Sequence, residues 1–421
     1  MELITLSTSL RIFLNRTDTL RSATVGVWIG SGSRFENEEN NGISHFIEHI
    51  VFKGSEKRSG FEIAEGMDEI GAYVNAYTTK EYTFFYTKAL DYQIQKAADI
   101  LFDMIRNPRL LESDIETEKG VILEEIAMCE DDPADVCSEL TERNIFKGTT
   151  LGLDILGTRK TVASFKDHHF REYMKKYYVP ERMVIGVNGN FDRDEMLQKI
   201  REYFGNLEFT DNPLDGYDVP FRKSMNLRKM DTEQTHIALS FKGIPIEHKD
   251  LYSLQVCMFI LGTGTSSMLN QRIREQLGLV YSIDSWLGRY LGGGYITVSM
   301  SLGTQSEEKA LWEVINIIKN FSCNVTERQV EIAKEKLISS LIMSREQPQS
   351  KLSAMGHSLL FHGRFIEDDE IIDKIKKVNL NDVKVAAEKY LDLSEMSFTA
   401  VGRVRDESEY KSILEKSIGQ N

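Results

Sequence analysis

Cysteine is scarce in this chain: four residues in 421, namely Cys129, Cys137, Cys257 and Cys323. None stands at the paired spacing of a zinc ribbon or a dithiol redox motif, and so few thiols demand no disulfide framework. The usage fits a reducing compartment. Positive charge is also in deficit. Lys and Arg number 51 against 65 Asp and Glu, a net charge of −14, which argues against a nucleic-acid partner because that binding needs a basic footprint. An acidic surface serves solubility and can steer basic peptides. Long apolar runs are missing too. The longest, Val256-Cys257-Met258-Phe259-Ile260-Leu261, falls far short of the roughly 20 residues that a bilayer-spanning helix needs, so no membrane partner is expected. Met1-Glu2-Leu3-Ile4-Thr5 shows no basic stretch followed by an apolar one, so no secretory leader is expected and a cytoplasmic location is the default. What remains is ordinary for a globular protein: 41% apolar and 28% charged residues, and a length that suggests two or three domains.

Histidine is rare as well, with eight residues in the chain, and two of them fall four apart in His45-Phe46-Ile47-Glu48-His49. On a helix, positions i and i+4 share a face, so both imidazoles can address one metal ion. Glu48 stands beside that face, within reach of a water on the metal. Imidazole nitrogen suits zinc, and a catalytic zinc takes three protein ligands and keeps a fourth position for water. A helix is expected here, with Asn41 or Ser44 as the cap and Gly54 as the terminator. Ile43, Phe46, Ile47 and Ile50 recur at helical spacing and should face the core. The other six histidines, His168, His169, His236, His248, His357 and His362, lack a second ligand at metal spacing and read as structural, with His168 and His169 at a helix start.

A third ligand is sought in the glutamate-rich stretch Leu111 to Leu140, which reads as one long helix. Ile115, Ile122, Ile126 and Cys129 fall in a narrow arc at 100° per residue. Glu118 borders that arc, about 20° beyond Cys129, and Glu125 lies about 20° further round by the same arithmetic. Buried carboxylates are costly without a partner, and a metal with its histidines would be one. Glu124 and Glu116 point elsewhere, and Glu124 reads as solvated.

These residues together resemble the pitrilysin/insulinase family of zinc metallopeptidases, the inverzincins. The nearest branch is that of the mitochondrial processing peptidases and their bacterial relatives. The resemblance implies that His45, His49 and Glu125 bind one zinc per chain. It implies Glu48 as general base and Glu118 as a support that acts through a histidine ring N–H. It covers nearly the whole chain. Gly71 to Thr78 is similar to the family strand that lies beside the zinc and holds substrate backbone. Ala72, Val74 and Ala76 alternate with Tyr73, Asn75 and Tyr77, as a strand would. Asn75 can donate and accept; taken alone it reads equally as a peptide binder or as a polar residue on an exposed edge. With Ala76 it is assigned to substrate binding. Arg274 and Tyr281, in Arg272-Ile273-Arg274-Glu275-Gln276-Leu277-Gly278-Leu279-Val280-Tyr281, look like the family's pair of donors to substrate carbonyl and oxyanion. Without the family they would read as an exposed helix arginine and a core tyrosine.

The chain also reads as two similar halves. Strands at Ala23 to Gly30 and His236 to Gly243 are followed by helices at Ile43 to Phe52 and Leu251 to Leu261. Hairpins at Ala72 to Tyr86 and Val280 to Ser301 follow, then long helices. The expected fold is α+β: two tandem homologous units, each a mostly antiparallel β-sheet with helices packed on it. The spans are a zinc-binding domain at 1–212, a linker at 213–231 marked by Pro213, Gly216 and Pro220, and a metal-free domain at 232–421. The resemblance implies half of a clamshell, completed as a homodimer that encloses a chamber for peptides. The implied activity is a zinc-dependent endopeptidase for short or unfolded peptides. The alternative is a non-catalytic peptide-binding subunit of a processing peptidase-like complex.

Overall fold

The same strand order is laid down twice along the chain. The computed structural model describes residues 1–214 and 217–419. The first sheet is built from β1 (Glu2–Thr5), β2 (Arg11–Arg16), β3 (Ser22–Ile29), β4 (Tyr73–Thr78), β5 (Thr83–Leu90) and β6 (Met183–Gly189). Their order is β1-β2-β6-β3-β5-β4. The second takes β7 (Met225–Lys229), β8 (Thr235–Lys242), β9 (Ser282–Tyr290), β10 (Gly293–Leu302) and β11 (Ser397–Gly402) in the order β7-β11-β8-β10-β9. Without β1 the two orders coincide. In each, one pair is parallel, β2 with β6 and β7 with β11, and the rest are antiparallel. The expected α+β architecture of two sheet-and-helix units is therefore present.

Burial follows position in the sheet. Central β3, Ser-Ala-Thr-Val-Gly-Val-Trp-Ile, is buried on both faces after its first residue, whereas β4 at the rim alternates between exposed and covered residues. Val25, Val27 and Phe85 share one apolar cluster with Ile43, Phe46, Ile47 and Ile50 of the helix Ile43–Ile50. On the other face, the helix Pro348–His362 comes close through Gly356, where an added Cβ would lie 2.3 Å from the Trp28 ring.

The compact units do not follow the contiguous spans 1–212 and 232–421. The first comprises residues 1–127, 153–214 and 342–367; the described residues of the second are 128–152, 217–341 and 368–419. The expected helix from Leu111 to Leu140 is two helices, Glu112–Asp131 and Pro133–Ile145. Pro133 cannot donate to the preceding turn, and Asp132 caps the new start by accepting from Ala134 N–H at 2.7 Å. The broken-off helix packs on β8 and β11 of the second sheet. The span 213–231, expected as linker, includes β7, which pairs along β11; Gly216 lies outside the described residues.

Candidate metal centre

The helix that carries His45, Glu48 and His49 starts at Gly42, whose φ of +94° is a conformation glycine tolerates. Neither Asn41 nor Ser44 caps it. Ser44 Oγ is engaged with Tyr173 Oη at 2.8 Å, and Asn41 Nδ2 donates to Glu36 and to the Asp154 carbonyl. The cap is Glu36. Its carboxylate accepts from Gly42 N–H at 2.7 Å and Ser44 N–H at 2.9 Å; burial pushes its pKa up, and these bonds offset that only in part. At the far end Val51–Lys53 tightens into a 3₁₀ turn and Gly54, at φ +145°, ends it as expected.

His45 and His49 lie one turn apart, with ring centroids 4.5 Å apart and ring planes tilted by 59°. Glu125, from the helix Glu112–Asp131, brings Oε2 to 3.6 Å from Nε2 of each ring. One donor atom from each of the three side chains lies within 4.8 Å of the others, and no other such group of three occurs among the described residues. Burial, with help from His49, pushes His45 down to about 3, so its ring is neutral near pH 7, the form that ligates a metal. Two imidazoles and one carboxylate are a donor set that zinc accepts, with a coordination position to spare. The residues fit that ion.

Glu118 is buried behind His49. Its Oε1 is 2.8 Å from His49 Nδ1, and its Oε2 is 2.6 Å from Lys53 Nζ. An ionised carboxylate only accepts, so Nδ1 carries the proton and the Nε2 lone pair is left toward Glu125. Burial alone would lower the His49 pKa and raise that of Glu118. The bond between them reverses both shifts, aided at His49 by the charges of Glu125 and Glu48 and at Glu118 by Lys53. The two rings are not held alike, since buried His45 Nδ1 has no hydrogen-bond partner among the described residues. Glu48 is half-buried, and burial pushes its pKa up; Thr78 Oγ1 donates to its Oε2 at 2.6 Å. The hydroxyl of buried Tyr178, likewise without a partner among the described residues, feels the Glu48 charge. Glu124 is exposed, and Glu116 pairs with Lys119.

The remaining site candidates fall in two places. Asn75 and Ala76 lie on the rim strand β4, where Asn75 Oδ1 accepts from Ala76 N–H at 2.8 Å. Arg274 and Tyr281 belong to the second unit. Arg274 sits exposed on a π-helical turn, Asn270–Gln276, near Asp284, whose pKa burial pushes up against the pull of the Arg274 charge. Tyr281 is 73% exposed, unlike the core tyrosine that the sequence alone suggested. His169 caps its helix by accepting from Lys166 N–H. Lys53, Thr78, Tyr178 and Glu36 were not singled out in the sequence. Of these, Lys53 lies four residues after His49, a spacing that could have drawn attention to it. Among the described residues no helix is long and apolar enough to cross a membrane.

Over most of its length the chain is similar to known proteins. The sequence profile described as insulinase (peptidase family M16) matches residues 11–159, and that described as the peptidase M16 inactive domain matches 165–337. An uncharacterized zinc protease of Bacillus subtilis is 39% identical over 383 residues, covering 90% of this chain and 93% of the relative. Another, of Mycobacterium leprae, is 33% identical over 400 residues, covering 92% and 88%. Among solved structures, a protease from Helicobacter pylori shares the fold with a TM-score of 0.88 at 17% identity, over 95% of this chain and 99% of that one.

Proposed function

Because this chain belongs to the insulinase family of zinc peptidases, peptidase family M16, we propose that it is a zinc-dependent endopeptidase for short or unfolded peptides. The observation that carries the reading is the convergence of His45 Nε2 and His49 Nε2 on Glu125 Oε2, at 3.6 Å each. These three side chains would hold one zinc. Bound there, zinc supplies Lewis acidity that lowers the pKa of a water from about 15.7 toward about 7.

Glu48 is the general base. With Oε2 held by Thr78, its other oxygen takes the proton of the attacking water and passes it to the leaving amine. Its raised pKa suits that exchange. Glu118 keeps the His49 ring in one tautomer. The peptide lies extended along β4 and adds a strand to the sheet. Ala76 N–H is then offered to the substrate, and Asn75 exchanges its bond to that N–H for one to the peptide. Main-chain pairing of this kind tolerates varied side chains. Arg274 and Tyr281 donate to the oxyanion. In a homodimer they would come from the other subunit, so mixing Arg274→Ala/Tyr281→Phe with His45→Ala should restore activity that neither variant has.

The test is Glu48→Gln, assayed for metal content and for cleavage of a quenched-fluorescent peptide library with and without chelator. Metal retained with turnover lost is expected. Cleavage at the wild-type rate would remove Glu48 from its role. Peptide binding with no chelator-sensitive cleavage in the wild type would leave the binding-subunit alternative.

A further inference from the structure

We propose that the face of β4 turned away from Glu48 is a selecting lane for peptide side chains, one that takes aromatic residues at every second position. The proposal rests on the reading that a peptide pairs along β4.

Among the described residues β4 forms the rim of its sheet and pairs only with β5, from Tyr73 opposite Lys88 to Thr78 opposite Thr83. Thr79 N–H donates to the Tyr82 carbonyl at 2.8 Å and closes the hairpin in the same register. Antiparallel hydrogen bonding alternates, so Tyr73, Asn75 and Tyr77 turn their backbone groups to β5, and Val74, Ala76 and Thr78 turn theirs outward. Ala76 N–H is accordingly taken by a side chain, that of Asn75. Side chains alternate as well. Thr78 reaches Glu48 on one face, and Ala76 and Val74 belong to that face and its apolar cluster. Tyr73, Asn75 and Tyr77 occupy the other.

On that second face two rings stand open, Tyr73 at 56% and Tyr77 at 39% exposure. They are held from below and from the side. Tyr73 packs against Tyr86 at 6.2 Å between centroids, and Tyr77 meets Phe84 edge-on at 5.5 Å and Tyr82 at 6.0 Å. Phe84 stacks on Tyr86 at 5.1 Å and on Trp28 at 4.3 Å. Asn75 Nδ2 donates to Tyr73 Oη at 3.1 Å, which fixes the outer ring further. A peptide paired with β4 obeys the same alternation. Side chains at one parity face Glu48, and those at the other, about 7 Å apart, pass over Tyr73, Asn75 and Tyr77; the two rings stand about 13 Å apart, so each such side chain lies opposite or diagonal to a ring. Rings pair favourably edge to face, and a preformed floor spares them ordering cost. Exposed Lys88 stands opposite Tyr73 on this face and opposes arginine or lysine there. The favoured class is therefore aromatic and not basic.

The test is a scan of Phe, Arg and Gly through each position of a short quenched-fluorescent peptide. Peptide binding to Glu48→Gln is measured in parallel. Phe should exceed Gly by about tenfold in kcat/KM and in affinity, chiefly through KM, at positions two apart, with Arg below Phe. Tyr73→Ser/Tyr77→Ser should bring the Phe-to-Gly ratio close to one, and Tyr73→Phe/Tyr77→Phe should keep it. A ratio unchanged in the serine variant, or a preference without period two, overturns the lane. Peptides bound and cut with no such preference sink the lane alone; no binding of any peptide sinks the strand-pairing reading and the lane with it.

Discussion

The two units share one strand order and differ in what hangs on it. Counting from the first residue of each helix, the places of His45, Glu48 and His49 in Ile43–Ile50 are taken in Leu251–Met258 by Ser253, Val256 and Cys257. The helix Glu327–Arg345 follows Glu307–Lys319 as Glu112–Asp131 follows Ile94–Arg106. By the same count the places of Glu118 and Glu125 fall to Ala333 and Ser340. Val256, Cys257 and Ala333 are fully buried in the second core. The frame thus stands without histidine or glutamate at these positions. In the first unit they come with burial costs that only each other's presence, or a cation's, offsets.

Erasing the difference should have the largest effect. His49→Ala makes the first unit resemble the second and should bring metal stoichiometry close to zero, with cleavage lost; elemental analysis and the peptide assay read both. Glu48→Gln leaves the ligands in place, so metal should stay while kcat falls by roughly 10²–10⁴. Inserting the difference where it has no partners is the converse. Val256→Glu places a carboxylate in a core with nothing to pair it and should destabilise by about 3 kcal/mol or more in urea unfolding. Removing supports should act more gently. Glu118→Gln should weaken metal binding by about 10–100-fold in chelator competition, and Lys53→Met by less, because it loosens Glu118 without removing it.

Acid provides the finest comparison. Asp99, on the first unit's helix Ile94–Arg106, is pushed up by burial but pulled down further by Arg58 and Lys199. Its folded-state pKa lies below that of the unfolded chain, so its stabilisation is present above the ordinary carboxylate range and fades as pH falls through the folded value. Asp250 in the second unit is lowered the same way by Lys389 and Tyr390, against burial, with one ammonium and a hydroxyl where Asp99 has two cations. The urea midpoint should therefore drop on acidification less in Asp99→Asn than in the wild type, and Asp250→Asn should show the smaller difference.

Much of this was legible where the signal is periodic. The four-residue step joins His45 to His49, the helical arc joins Glu118 to Glu125, and strict alternation marks β4. Repetition of strand, helix and hairpin at half the chain length revealed the duplication. The rest depends on contacts that no short window contains. Glu36 caps a helix from eight residues before Ser44, outside any capping-box spacing. Lys53 finds Glu118 across the fold. The break at Pro133 hid beneath an apolar pattern that runs past it. Helices 133–145 and 348–362 join sheets distant in sequence because their apolar faces find cover there, which local patterning does not report.

The amide of Asn75, bent back onto the N–H of Ala76, has a bearing on solubility. A bare rim of this kind is the natural place for two copies to zip together into a continuous ribbon. By occupying its own outward donor, the solitary chain makes a poor adhesive for its neighbours, and yields that donor only to a guest that offers a better acceptor.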